Sequence, residues 1–151
     1  VCTGSSWSAG SFGGIVIHPE QIDPQVEFSG CYEKCASATA LVKRAMEVDP
    51  ELKNGRAVFA AFSRPEVRQV VDGWIGEIVY GLITLVHVFN PARIVLGGGV
   101  MAQPYVLEQV RERLAAGISP GFRGVEIVTA KLGNQAGLMG AAYQAVSKLK
   151  G

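Results

Sequence analysis

The run Arg93-Ile94-Val95-Leu96 is rich in β-branched residues, lacks polar alternation and passes directly into Gly97-Gly98-Gly99. It reads as a short, fully buried parallel strand, because a strand covered on both faces has no polar side to alternate with. Parallel neighbours need crossover connections, so the flanking sequence has to supply helices. Upstream, Val67, Val70, Val71, Trp74, Ile75, Ile78, Val79, Leu82, Ile83, Val86 and Phe89 repeat at helical spacing. They predict a core helix with a broad apolar face, entered near Pro65 and stopped by Asn90-Pro91. Downstream, Val106, Leu107, Val110 and Leu114 mark a second helix, and Val125-Glu126-Ile127-Val128-Thr129 a second strand. A last helix runs from Gln135 to Lys148, with Leu138, Met139, Ala142 and Val146 expected to face inward. Helix, strand, helix, strand, helix is the alternation of an α/β chain with helices packed on a short parallel sheet.

The remaining sequence is compatible with one lobe of modest size. Residues 1–30 are rich in Gly, Ser and Pro and read as loop, apart from a strand-like run from Gly14 to His18 closed by Pro19. Two further helices are expected, through Ala36 to Val48 and around Arg56 to Phe62. At 151 residues, with 48% hydrophobic and 18% charged residues, the chain can bury one core and is treated as a single domain, 1–151. A net charge of +1 gives no basic field for nucleic acid or anionic lipid. The longest apolar stretch, Ile78 to Phe89, spans 12 residues, where a membrane helix needs about 20. Neither a nucleic acid nor a membrane is therefore expected as a partner. Cys2, Cys31 and Cys35 are too few for a disulfide scaffold, and the composition favours a reducing, cytoplasmic compartment.

Several residues carry chemical possibilities. Ligands of open α/β sheets bind at the carboxyl ends of strands, and glycine lets a backbone approach a nucleotide closely, so Gly97-Gly98-Gly99 is a candidate contact. The spacing fits neither a dinucleotide fingerprint nor a P-loop, and a tight strand-to-helix turn explains it equally. Gly133 to Ala142 carries small residues that read as a packing seam. Cys31 and Cys35 are spaced to share a helix face, but a closed zinc site takes four ligands and His18 and His87 are the only histidines. No metal is expected, and His87 reads as a partly buried helix residue. Glu33, close to Gly30 at the start of a helix, is either a capping carboxylate or an acceptor for polyol hydroxyls.

Four ordered segments add a resemblance. They are Ala9-Gly10-Ser11-Phe12-Gly13-Gly14, Gly30-Cys31-Tyr32-Glu33-Lys34-Cys35-Ala36-Ser37, Asn90 to Val100 around the glycine run, and Gly137-Leu138-Met139-Gly140-Ala141-Ala142. In order and spacing they resemble the C-terminal half of the ROK family of bacterial sugar kinases and related repressors. The resemblance implies a C-terminal lobe of an actin-like, ribonuclease-H-like ATPase fold, with a hexose, ATP and Mg²⁺ as ligands and a homodimer as the assembly. It implies that Glu33 accepts hydrogen bonds from sugar hydroxyls and that Gly97, Gly98 and Gly99 lie beside the adenosine. A β-carbon at Gly98 is expected to fill space the adenosine needs while leaving the fold intact. Ser11 and Gly14 occupy the other sugar-side positions, where the family more often has glutamate and histidine. The family's zinc segment, Cys-x-Cys-Gly ahead of Gly-Cys, is represented only by Cys31, so no zinc is expected. The family's catalytic Asp and first phosphate loop belong to an N-terminal lobe without counterpart in this sequence, which implies that the 151-residue chain alone phosphorylates no hexose. A sugar-sensing module of a repressor and an oligomerisation lobe without ligand are the other readings.

Overall fold

Where the sequence suggests one helix beginning at Ala36, the chain forms two, α1 (Tyr32–Ala36) and α2 (Ala38–Val48). Ser37 separates them: its backbone is extended (φ −68°, ψ 160°) and its side chain accepts the Ala40 N–H at 3.2 Å, so it caps and restarts the helix. Asn54 caps α3 (Gly55–Ala60) in the same way, accepting from Ala57 at 2.9 Å. The 25-residue α4 (Pro65–Phe89) opens on proline, whose missing N–H is no loss in a first turn. It ends where Asn90 turns to φ 42° and donates its N–H to the Val86 carbonyl at 2.9 Å. The computed structural model describes residues 4–149; Cys2 lies outside them.

The described chain divides into two units, residues 1–85 and 86–151. In the first, α4 supplies the centre of the core: Val67, Val71, Trp74, Ile75, Ile78, Val79 and Leu82 are buried, together with Leu41 and Ala45 of α2 and Val58 of α3. By length and composition α4 could cross a membrane; here the apolar face that passes that test is the face that builds the core. The strand-like run from Gly14 to His18 makes only an isolated antiparallel bridge, Val16 with Cys31. Without a second partner strand it does not extend into a sheet.

In the second unit β1 (Arg93–Leu96) and β2 (Glu126–Thr129) pair in parallel, Arg93 opposite Glu126 and Leu96 opposite Thr129. The crossover helix is α5 (Pro104–Gly117), with Val106, Val110 and Leu114 buried. Arg111 of α5 donates twice to the Ile127 carbonyl, at 2.6 and 2.8 Å, which ties helix to sheet. β1 is not fully buried: its residues alternate between exposed and half-buried, and Val95 is 58% exposed. In a sheet of two strands each is an edge, and side chains alternate between faces, so one face of β1 stays open among the described residues. The last helix, α6 (Ala136–Leu149), departs from expectation in the same sense. Leu138, Met139, Ala142 and Val146 point away from the described core, Leu138 with 73% of its surface exposed. Periodicity identifies an apolar face but not what covers it.

Candidate functional site

The candidate sugar-side residues are gathered by short backbone pairing. The N–H groups of Ile17 and His18 both donate to the Gly30 carbonyl at 3.0 Å, and the Tyr32 N–H donates to the Ile15 carbonyl at 2.8 Å. This folds the turn Phe12–Gly14 back against α1. A β-carbon on Gly13 would stand 3.1 Å from Glu33 Cβ and 3.2 Å from its Oε2, so the carboxylate lies over the glycine backbone. Glu33 is exposed. Ser11 directly precedes the turn, but its hydroxyl is spent on the Ser8 carbonyl at 2.8 Å. Gly14 ends the turn and faces the Phe28 ring, which would be 3.8 Å from a β-carbon there. Glu33, Ser11 and Gly14 thus belong to one small region.

Sequence reading missed what holds Glu33 in place. Tyr32, its neighbour, donates its phenol to the Ile78 carbonyl of α4 at 3.0 Å, and burial pushes the phenol up to about 12. Its ring lies so close over Gly81 that any β-carbon there would overlap it. At the other end of α1 the Trp74 indole donates to the carbonyls of Ala36 and Ser37, both at 3.0 Å. A tyrosine and a tryptophan anchored on backbone carbonyls give the five-residue α1 the rigidity its length alone could not supply. A cavity of about 550 Å³ adjoins it, lined by Glu33, Gln21, Ser29, Thr39, Lys43 and Arg44 among others. That volume suits a small polar ligand.

Beneath this region lies a network that crosses three elements. His18 Nε2 is 2.7 Å from Glu77 of α4, and Nδ1 is 2.9 Å from Glu20. The second Glu77 oxygen accepts from Arg44 of α2 at 3.1 Å. The hydrogen bond to Glu77, with a smaller contribution from Glu20, holds the His18 ring above its ordinary range against a modest burial effect. Cys31 and Cys35 are buried free thiols, and burial, reinforced by the Glu77 charge, pushes the Cys35 thiol up. His87, by contrast, is exposed rather than partly buried, with its ring 4.8 Å from that of Phe122.

The glycine run lies in the second unit and follows β1 directly. Gly98 has φ +100°, a conformation that L side chains rarely adopt, while Gly99 is ordinary helical backbone at φ −62°. A β-carbon on Gly97 or Gly98 would meet no atom within 4 Å. The backbone there is open to a ligand, but the expectation that Gly98 tolerates a side chain without harm to the fold is corrected by its φ. A second cavity of about 410 Å³, lined by Arg111, Leu114, Ile118, Arg123 and Ile127, is apolar in its helix wall and has one of its two arginines committed to the sheet.

With this geometry in view, the family model described as ROK matches residues 1–148. The chain belongs to the ROK family. It is 35% identical over 141 residues to a fructokinase from Zymomonas mobilis, covering 85% of this chain and 42% of that protein. Among solved structures it resembles a ROK hexokinase from Thermus thermophilus, with TM-score 0.83 and 28% identity over all of this chain and 52% of that one. It also resembles a ROK glucokinase from Streptomyces griseus in complex with glucose and AMPPNP, with TM-score 0.81 and 26% identity, covering 95% of this chain and 53% of that one. The fold is therefore the α/β arrangement of the actin-like ROK kinases. The chain spans about half the length of the relatives it matches.

Proposed function

We propose that this chain is the C-terminal lobe of an ATP-dependent hexose kinase, contributing sugar and adenosine contacts to the whole enzyme. The observation that carries the sugar side is the Glu33 carboxylate held over Gly13 at the edge of a polar cavity. A carboxylate is an acceptor only, and a pyranose offers adjacent hydroxyls that donate, so the pair is matched without any charge on the ligand. Tyr32 and Trp74 keep α1 from moving when the sugar binds, which spares the cost of ordering the acceptor. Ser11 and Gly14 border the same turn and shape its sugar-facing side. The glucose and AMPPNP bound to the Streptomyces griseus relative support this ligand class.

On the nucleotide side, the open backbone at Gly97 and Gly98 fits a flat base or ribose approaching without steric opposition. Gly97, Gly98 and Gly99 would line the adenosine. ATP with Mg²⁺ supplies the phosphoryl group; this chain's share is to bind and orient the acceptor and the nucleoside. Three cysteines and no disulfide among the described residues fit a cytoplasmic enzyme.

The test is Glu33→Gln in the full-length protein that contains this lobe. A charge-assisted bond to a sugar hydroxyl is worth roughly 1.5–3 kcal/mol, so glucose affinity by calorimetry should fall about 10-fold or more. The melting temperature should hardly change, since Glu33 is exposed. A variant that melts lower yet binds glucose as before would leave Glu33 a cap and remove it from the site.

A further inference from the structure

We propose that His18, Cys35 and Glu77 form a three-ligand site for a zinc-class divalent cation that staples the loop after the Phe12–Gly14 turn to α1 and α4. Their ligand atoms, one imidazole nitrogen, one thiol sulfur and one carboxylate oxygen, all lie within 4.8 Å of one another. Zinc bonds of about 2.0–2.3 Å place tetrahedral ligand atoms roughly 3.3–3.8 Å apart, so closure needs shifts of about an ångström from separations of at most 4.8 Å. Nitrogen, sulfur and oxygen together are a donor set that suits zinc or cobalt and disfavours magnesium or calcium.

The surroundings of the three ligands are those of a metal centre as well. Metal-bound histidines almost always give their second ring N–H to a carboxylate, which fixes the tautomer. Here His18 Nδ1 is 2.9 Å from Glu20, leaving Nε2, 2.7 Å from Glu77, as the nitrogen free to ligate. Ligating carboxylates are themselves hydrogen-bonded, and Arg44 holds Oε1 of Glu77 at 3.1 Å while Oε2 faces His18. Cys35 is 5% exposed, and the His18 and Glu77 side chains are 20% and 13% exposed, so the three ligands are sheltered without being sealed from solvent. Binding displaces the Cys35 thiol proton and the proton between His18 and Glu77, both to solvent, as three coordinate bonds form.

None of these residues belongs to the Cys-x-Cys-Gly, Gly-Cys segment that the family resemblance links to zinc; of that segment only Cys31 is present. The expectation of no metal came from counting cysteines and histidines, and it could not count Glu77. The ligands come from a loop, α1 and α4, so the ion would fix the loop that pairs with Gly30 and thereby the seat of Glu33.

The 151-residue chain is purified without chelator, loaded with zinc chloride, dialysed and measured by plasma mass spectrometry, beside a parallel sample loaded with cobalt(II). About one zinc per chain is expected, with a thiolate-to-cobalt charge-transfer band in the cobalt sample. Cys35→Ser should lose the band, and both Cys35→Ser and Glu77→Gln should weaken zinc binding at least about 10-fold in a chelator competition. Circular dichroism of each variant confirms that it folds, and Glu77→Gln, which keeps the side chain's size and shape, serves if Cys35→Ser does not. Less than a tenth of an equivalent of zinc and no cobalt band would overturn the proposal, leaving the cluster as hydrogen-bonded ion pairs alone. Zinc bound equally well by both variants would overturn it too, by placing the ion elsewhere.

Discussion

Within residues 1–85 the centre of the apolar side of α4 is fully covered: Val67, Val71, Trp74 and Ile75 have no exposed surface, and the one side-chain polar atom among them, the Trp74 indole nitrogen, has two carbonyl acceptors. Within residues 86–151, α6 has an apolar face of similar composition, yet Leu138 and Tyr143 are 73% and 76% exposed. Both helices carry the same kind of sequence signal. The difference teaches that the region around Glu33 can be built rigidly inside one unit, whereas the unit carrying the glycine run leaves apolar and backbone surface open.

The contrast is sharpened most by Trp74→Ala. Removing a fully buried indole should cost about 3–5 kcal/mol in urea unfolding and leave the Ala36 and Ser37 carbonyls without their donor. Next is Gly81→Ala, whose methyl would meet the Tyr32 ring. Overpacking of this kind costs about 1–3 kcal/mol and, on the proposed function, should lower sugar affinity in the full-length protein, because it displaces the residue beside Glu33. A wild-type melt and affinity for this variant would show that Tyr32 is not the anchor described here.

In the second unit the informative pair is Gly98→Ala and Gly97→Ala. Both methyl groups would meet open space, but only Gly98 has a positive φ, so Gly98→Ala should lose about 1–2 kcal/mol and Gly97→Ala almost nothing. In the full-length protein a rise in the ATP constant for Gly97→Ala, without loss of stability, would separate nucleotide contact from turn geometry. A side chain at Gly98 by itself confounds the two, because its φ is positive.

Smaller effects follow at the surface. The hydrogen bond from Arg64, at 2.6 Å, with a further one from the Glu51 N–H, holds the Asp49 carboxyl below its ordinary range. A depressed carboxylate contributes stability that is present above its unfolded value near pH 4 and is lost as pH falls through the lower folded value. Asp49→Asn should therefore lower the melting temperature slightly at neutral pH, with the difference from wild type closing as pH falls through the folded value, so that the acid limb of the profile flattens. The smallest change is expected for Leu138→Gln on α6, within about 0.5 kcal/mol. A large loss there would mean that α6 is covered in solution, and would erase the contrast between the units.

Much of this was legible in the amino-acid sequence. The helical face from Val67 to Val86, the stop at Asn90-Pro91, the two strands and the family motifs are all local patterns, because a helix or strand writes its own period into consecutive residues. Glu33 and the glycine run could be singled out for the same reason. The break at Ser37 was less visible, since a serine inside an apolar period is compatible with either a cap or a continuous helix.

What only the tertiary structure decided is which residues meet. Glu77 lies 59 residues from His18, and Tyr32 is 46 from the Ile78 carbonyl that receives its hydroxyl. No periodicity connects such pairs; they are brought together by the packing of α1 and α2 on α4. Exposure was decided in the same way: β1 and α6 carry the apolar signature of buried elements, but burial requires a second surface, and a sequence period specifies only the first.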